Sequence, residues 1–258
     1  MIIRLIEGIG DKTIGSITSL YNFLIFSTVV LSRLFYFRSY NQKTIISLVT
    51  QIYYTSVIVI PHFIVIASFF GSLIIGTLII VSMQFNFQTQ IGSIITTFVF
   101  NELAPLFTTI FISLRSGTLV NKKFANMRGN DENKIIDLLA IPRVISGIVS
   151  TLTLSILFSA IVLGSGYIVI FVYMGMDFHT YKFLILDAVS VGNVLMLLIK
   201  STLYGFITMV VPIYNGLRYN SKKVKERLSV VSLISHIFST IFFIEIILFL
   251  LISTLKGS

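Results

Sequence analysis

Glu102, Lys200 and Glu245 are the residues best placed to do chemistry, because each stands inside a long and otherwise apolar run. An ionisable side chain in such a setting is costly to bury and marks a site or a partner. Glu102 sits about twelve residues, and Lys200 about seventeen, from the outer ends of two expected helices running in the same direction. At ~1.5 Å per residue those depths differ by roughly 7 Å, within reach of a lysine stem, so an ion pair is expected. The pair could clasp two helices, or one member could meet a charged headgroup. Glu245, midway along the last run, has no partner that the sequence identifies. Two carboxylates are thin support for a proton relay, which needs a chain of titratable groups.

Other chemistries find little. His62, His179 and His236 are scattered, and neither HExxH nor a paired-carboxylate spacing occurs, so no metal site is expected. No G-x-x-x-x-G-K-[ST] run is present to cradle ATP phosphates. No catalytic residue is assigned, the chain is not expected to be an enzyme, and any energy must come from a partner or a gradient. With zero cysteines there is no disulfide framework.

The elements that must hold these charges follow from hydropathy and charge placement. The chain is 55% apolar and 11% charged, with a mean hydropathy of +0.97, against about a quarter charged in soluble domains. No charged residue occurs between Lys43 and Glu102 or between Arg143 and Asp177, and each gap exceeds the ~20 residues a membrane crossing needs. Of 19 Lys and Arg residues, all but Lys182, Lys200 and Lys256 fall in three clusters, Arg4 to Lys43, Arg115 to Arg143 and Arg218 to Arg227. Basic residues beside spanning segments stay cytoplasmic, so all three clusters are expected inside. The net charge of +9 is then explained by anionic headgroups and topology, and no nucleic acid partner is expected.

The expected fold is an all-α integral membrane protein. Residues 1–43 form an N-terminal element whose Thr13 to Ser32 stretch, flanked by basic residues on both sides, reads as an in-plane elbow helix. Residues 44–258 form a transmembrane domain with spans at about 45–83, 91–117, 144–172, 183–213 and 228–252. Pro61 kinks the entry to the first, Gln84 to Gln90 turns the chain outside, and Gly164-Ser165-Gly166 permits close approach in the third. Five crossings put the N-terminus in the cytoplasm and the C-terminus outside. No internal repeat is visible.

The loop from Val120 to Asp137 is the best candidate for a partner contact. Val120, Phe124 and Met127 recur at i, i+4 and i+7, opposite Lys122, Lys123 and Asn126. That pattern reads as a short amphipathic helix ended by Gly129-Asn130, either lying on anionic lipid or docking a cytoplasmic motor.

Asn101-Glu102-Leu103-Ala104-Pro105, Leu114-Arg115-Ser116-Gly117-Thr118, Met127 and Pro142-Arg143 resemble the MlaE/YrbE permease family, as do Leu198 to Gly205 and Tyr214 to Arg218. The family shows R-E-L-G-P, G-R-x-G-S, P-R, I-K-S-x-x-[FY]-G and Y-x-G-x-R in that order. Ile6-Glu7-Gly8-Ile9-Gly10 is similar to its opening. The resemblance implies an elbow helix plus five spans, in a homodimer enclosing a lipid cavity. The implied system is an ABC transporter of the bacterial inner membrane that moves phospholipid between inner and outer membranes. Its partners would be a cytoplasmic ABC ATPase carrying ATP and Mg, a periplasmic MCE-domain protein and often a STAS-domain subunit. On this reading Glu102, Lys200 and Arg115 form the intramembrane ion pair or headgroup contact. Lys122, Lys123, Phe124, Met127, Arg128, Asp131 and Glu132 form the ATPase-coupling loop. Lys123 stands where the family usually has Glu, and roughly eight residues are missing before Pro142-Arg143, judged by analogy. That departure keeps open a non-transporting scaffold for an MCE protein and an ATPase. A proton-driven secondary transporter is a further alternative.

Overall fold

Runs of apolar residues leave the backbone no solvent to bond, and helices answer by closing every N–H and C=O within the segment. The computed structural model describes residues 2–35, 42–85, 87, 90–127, 129, 131–218 and 230–257. Side chains before Thr18 are outside that description. The described chain forms α1 (Ile2–Leu34), α2 (Thr44–Gln84), α3 (Ile91–Ala125), α4 (Asn133–Met174), α5 (Phe178–Ala188), α6 (Val191–Arg218) and α7 (Val230–Gly257). No strand occurs among the described residues. Helices α2, α3, α4 and α6, with Val231–Leu251 of α7, are long and apolar enough to cross a bilayer.

The expected boundaries need correction in three places. The fourth crossing does not open near residue 183, because Val189 and Ser190 interrupt the helix. Asp177 caps α5 by accepting the His179 and Thr180 N–H groups at 3.0 and 3.2 Å, and the Ser190 hydroxyl accepts the Asn193 N–H at 3.1 Å to start α6. The second helix runs on to Ala125 and the third begins by Asn133, so the loop between them is far shorter than 120–137. Of the small residues in α4, Gly166 packs closely, with Ile75 against it, while Gly164 faces open space. Pro61 occupies the first turn of the α-helix Ile60–Gln84, after a 3₁₀ turn at Val57–Val59, where its missing N–H has no carbonyl to lose. The expected turn at Gln84 to Gln90 and the basic stretch Arg218 to Arg227 lie largely outside the described residues.

Three turns are wider than α. Val99–Leu103, Ser113–Gly117 and Ile136–Ala140 are π-helical, and two of them immediately precede prolines. Ala104 N–H bonds to Val99 C=O, and Ile141 N–H bonds to Ile136 C=O, one residue further back than in an α-helix. Pro105 and Pro142 have no N–H and crowd the carbonyl four residues back, and the wider turn relieves both problems.

Helix α4 is the centre of the bundle, packed on α2, α3 and α6. Its interior face carries hydroxyls. Ser150 meets Ser56 at 2.6 Å, and Ser155 meets Thr108 at 2.7 Å. Such seams join helices in lipid, where water drives no association. At the α4–α6 crossing Gly147 faces Gly205, and a Cβ on Gly205 would lie 2.8 Å from Ile148 Cα and 2.9 Å from Gly147 O.

Helix α1 docks by its C-terminal half. Phe23 and Phe26 pack on Tyr214 near the end of α6, and Arg33 pairs with Asp137 at 2.9 Å. Leu20, Tyr21, Leu24 and Leu31 stay exposed. Its apolar part, Thr18–Leu34, is shorter than the five membrane-length segments.

The Asp177 cap supplies a pH prediction. The Thr180 hydroxyl, and then the Thr180 N–H, hold the Asp177 carboxyl below the usual carboxylate range. Stabilisation by the cap is therefore present above the unfolded value and lost as pH falls through the depressed folded one. Amides of residues 179–182 are expected to exchange several-fold faster in Asp177→Ala than in the parent at neutral pH. The difference should vanish in acid; equal exchange at neutral pH would show the cap to be idle.

Candidate functional site: a three-helix ion cluster

The break at Val189–Ser190 changes the depth arithmetic. Lys200 is nine residues into α6 and Glu102 eleven into α3, so at ~1.5 Å per residue the two are level to about 3 Å. The expected pair is present, with Lys200 Nζ 2.8 Å from Glu102 Oε1. A second carboxylate joins it: Lys200 Nζ donates to Glu245 Oε2 at 2.9 Å. One ammonium thus ties α6 to both α3 and α7.

The three groups differ in access. The Lys200 side chain is 3% exposed, Glu245 25% and Glu102 45%. Glu245 Oε1 and Asn101 Oδ1 are buried without a hydrogen-bond partner among the described residues. Asn101 Nδ2 approaches Asn193 Oδ1 at 3.5 Å. With all three ionised, the cluster carries one excess negative charge. Its chemistry is electrostatic: it can hold helices together, and Glu102 can meet a cation presented from the open side.

The signal for Glu245 was present in the sequence. Counted from the far end of α7, Glu245 lies six residues before Leu251, roughly 9 Å deep and within a lysine's reach of Lys200. Helix α7 needs this tie. Leu233, Ile237 and Ile241 bury against Tyr204, Ile207 and Val211, whereas Phe242, Phe243, Ile246 and Phe249 are exposed. The ion contact is what anchors the far half.

Arg115 does not join Glu102 and Lys200. It lies thirteen residues beyond Glu102 on the same helix, about 20 Å along the axis, and points its guanidinium towards Tyr54 O at 3.5 Å. At that basic end it shares a cleft of about 370 Å³ with Lys123 and Arg143.

The proposed coupling residues are dispersed around this end. The i, i+4 pattern of Val120 and Phe124 is helical as expected, but both are buried, with Phe124 against Gly216 of α6. This apolar side is therefore part of the bundle core and is not free to dock a partner. Met127 is partly buried on the same core, and Lys122 and Lys123 are exposed. Asp131 is exposed, 3.7 Å from Lys134. Arg128 and the Glu132 side chain lie outside the described residues. Among the described residues, no group of three or more His, Cys, Asp or Glu could hold a metal.

Five apolar helices of membrane length make this a multi-pass membrane protein. Residues 48–251 match the family described as Permease MlaE, and the chain belongs to that family. It is also similar to the intermembrane phospholipid transport system permease protein MlaE of Haemophilus influenzae, with 23% identity over 146 residues. The match covers 53% of this chain and 56% of that relative, so it spans little more than half the relative's length.

Proposed function

We propose that this chain is the membrane permease of a phospholipid transporter energised by a separate ATPase. The observation carrying the proposal is membership of a permease family over residues 48–251, which contain the five membrane-length helices. The name of the Haemophilus relative supports phospholipid as cargo.

Physical chemistry narrows what such a permease must do. Exposing the ~30 CH₂ groups of a two-tailed lipid to water costs on the order of 24 kcal/mol at ~0.8 each. The cargo must therefore travel against apolar walls. Exposed Phe242, Phe243, Ile246 and Phe249 of α7, with Val191, Leu195 and Ile199 of α6, supply such a wall beside Glu102. A second copy facing this surface would close it into a chamber. The Lys200 cluster then has two tasks, clasping α3, α6 and α7 and offering the Glu102 carboxylate to a cationic headgroup.

In this reading the basic end faces the cytoplasm of a bacterial inner membrane, and α1 lies in the interface there, tied by Arg33 to Asp137. An ABC ATPase holding ATP and Mg docks near Lys122, Lys123 and Asp131. An MCE-domain protein, taking lipid onward, meets the opposite end, and a STAS-domain subunit can join the ATPase. The test is ATP hydrolysis by the complex reconstituted in vesicles. Turnover is expected to rise with phospholipid cargo and to drop about tenfold in Glu102→Gln, the loss of one charge-assisted contact. Cargo-independent turnover, or none, would favour a scaffold.

A further inference from the structure

We propose that Arg115, Lys123 and Arg143 form a recognition cleft for the phosphate of a phospholipid, one of whose acyl chains lies in the adjoining groove between α2 and α3. This site is separate from the Lys200 cluster. It requires only that the chain spans a bilayer, so it stands or falls independently of the transport reading.

The cleft is electrostatically incomplete. Its three cationic side chains are joined by Gln51 and Tyr54, and no carboxylate lines it. The nearby described acids are engaged elsewhere, Asp137 with Arg33 and Asp131 beside Lys134. Arg143 Nε is buried with no hydrogen-bond partner among the described residues, and so is Gln51 Oε1. A buried guanidinium N–H without an acceptor is costly, and an oxyanion with several lone pairs satisfies it. Arginine forks match phosphate geometry particularly well.

The second observation is what lies next to the cleft. Arg115 also borders an apolar groove of about 450 Å³, walled by Ile66 and Phe70 on α2 and by Phe107, Ile110 and Phe111 on α3. A charged cleft and a greasy groove thus meet at one residue, which is the outline of an amphiphile. Depth agrees. Arg115 is 24 residues from the start of α3 at Ile91, about 36 Å, just past a hydrocarbon core ~30 Å thick. Phe107, about 24 Å along, is still inside the core. The cations therefore lie at headgroup level and the aromatic groove at chain level. A soluble protein partner would account for the cations but not for the groove, so lipid is the favoured occupant.

The test is native mass spectrometry of the purified full-length chain titrated with dioleoyl phosphatidylglycerol. Arg143→Gln and Lys123→Glu are each expected to weaken retention about tenfold, the loss of one charge-assisted contact. Ile110→Trp, which fills the groove, should weaken it as well. Lys182→Gln, on α5 at the opposite end, should leave it unchanged. If Arg143→Gln fails to fold, Lys123→Glu carries the measurement, because Lys123 is exposed. Unchanged retention in folded Lys123→Glu and Ile110→Trp would overturn the proposal. Displacement of the lipid by millimolar inorganic phosphate, with Ile110→Trp binding normally, would reassign the cleft to free phosphate. Unchanged lipid retention with loss of a co-purifying ATPase would reassign it to a protein contact.

Discussion

Lys200→Met protein is expected to be extracted in low yield and to unfold in detergent at a clearly lower temperature than the parent. The substitution leaves Glu102 and Glu245 facing one another with nothing between them. Removing one partner of a buried ion pair costs ~3–5 kcal/mol; with Glu102 45% exposed, about 3 kcal/mol is expected. Lys200→Met combined with Glu102→Gln and Glu245→Gln should recover most of the loss, because no uncompensated charge remains. A double-mutant cycle on Lys200 and Glu102, read by thermal size-exclusion, gives the coupling directly. Strictly additive losses would mean that the 2.8 Å contact carries no energy.

Gly205→Val should produce the second large effect, for steric reasons. At the α4–α6 crossing both obstacles to a new Cβ are backbone atoms, Ile148 Cα and Gly147 O, which cannot rotate aside. The helices must separate, and overpacking of this kind costs ~1–3 kcal/mol or more. Gly147→Ala should be milder, since its nearest obstacle is the Met209 side chain, which can adopt another rotamer. The ordering of melting temperatures, parent above Gly147→Ala above Gly205→Val, is the measurable outcome. An inverted order would indicate that the crossing is looser than these distances imply.

The membrane fold was legible because apolar length and charge placement act over twenty or more residues at a time. Lys200 with Glu102 was legible from depth alone, even though the fourth span was begun too early. What escaped detection depended on local geometry. The break at Val189–Ser190 rests on one serine hydroxyl accepting one N–H, a signal no hydropathy window resolves. Glu245 escaped because its depth was not counted from the same membrane face as Lys200. Val120 and Phe124 showed a true helical face, but periodicity does not say whether that face meets a partner or the chain's own α6. Arg143 was read as part of a motif, while its cleft requires Gln51 and Tyr54 from a helix some ninety residues earlier.

The wide turns in α3 and α4 have a consequence of their own. Each accommodates one residue more than a regular turn, so excising a single amino acid from Val99–Leu103 would restore an ordinary helix at the cost of its phase. Everything on one side of the cut would swing by about 100°, carrying Glu102 away from Lys200 or Arg115 away from its cleft. Length in these segments is therefore as constrained as side-chain identity, and one-codon deletions there should be far less tolerated than conservative substitutions beside them.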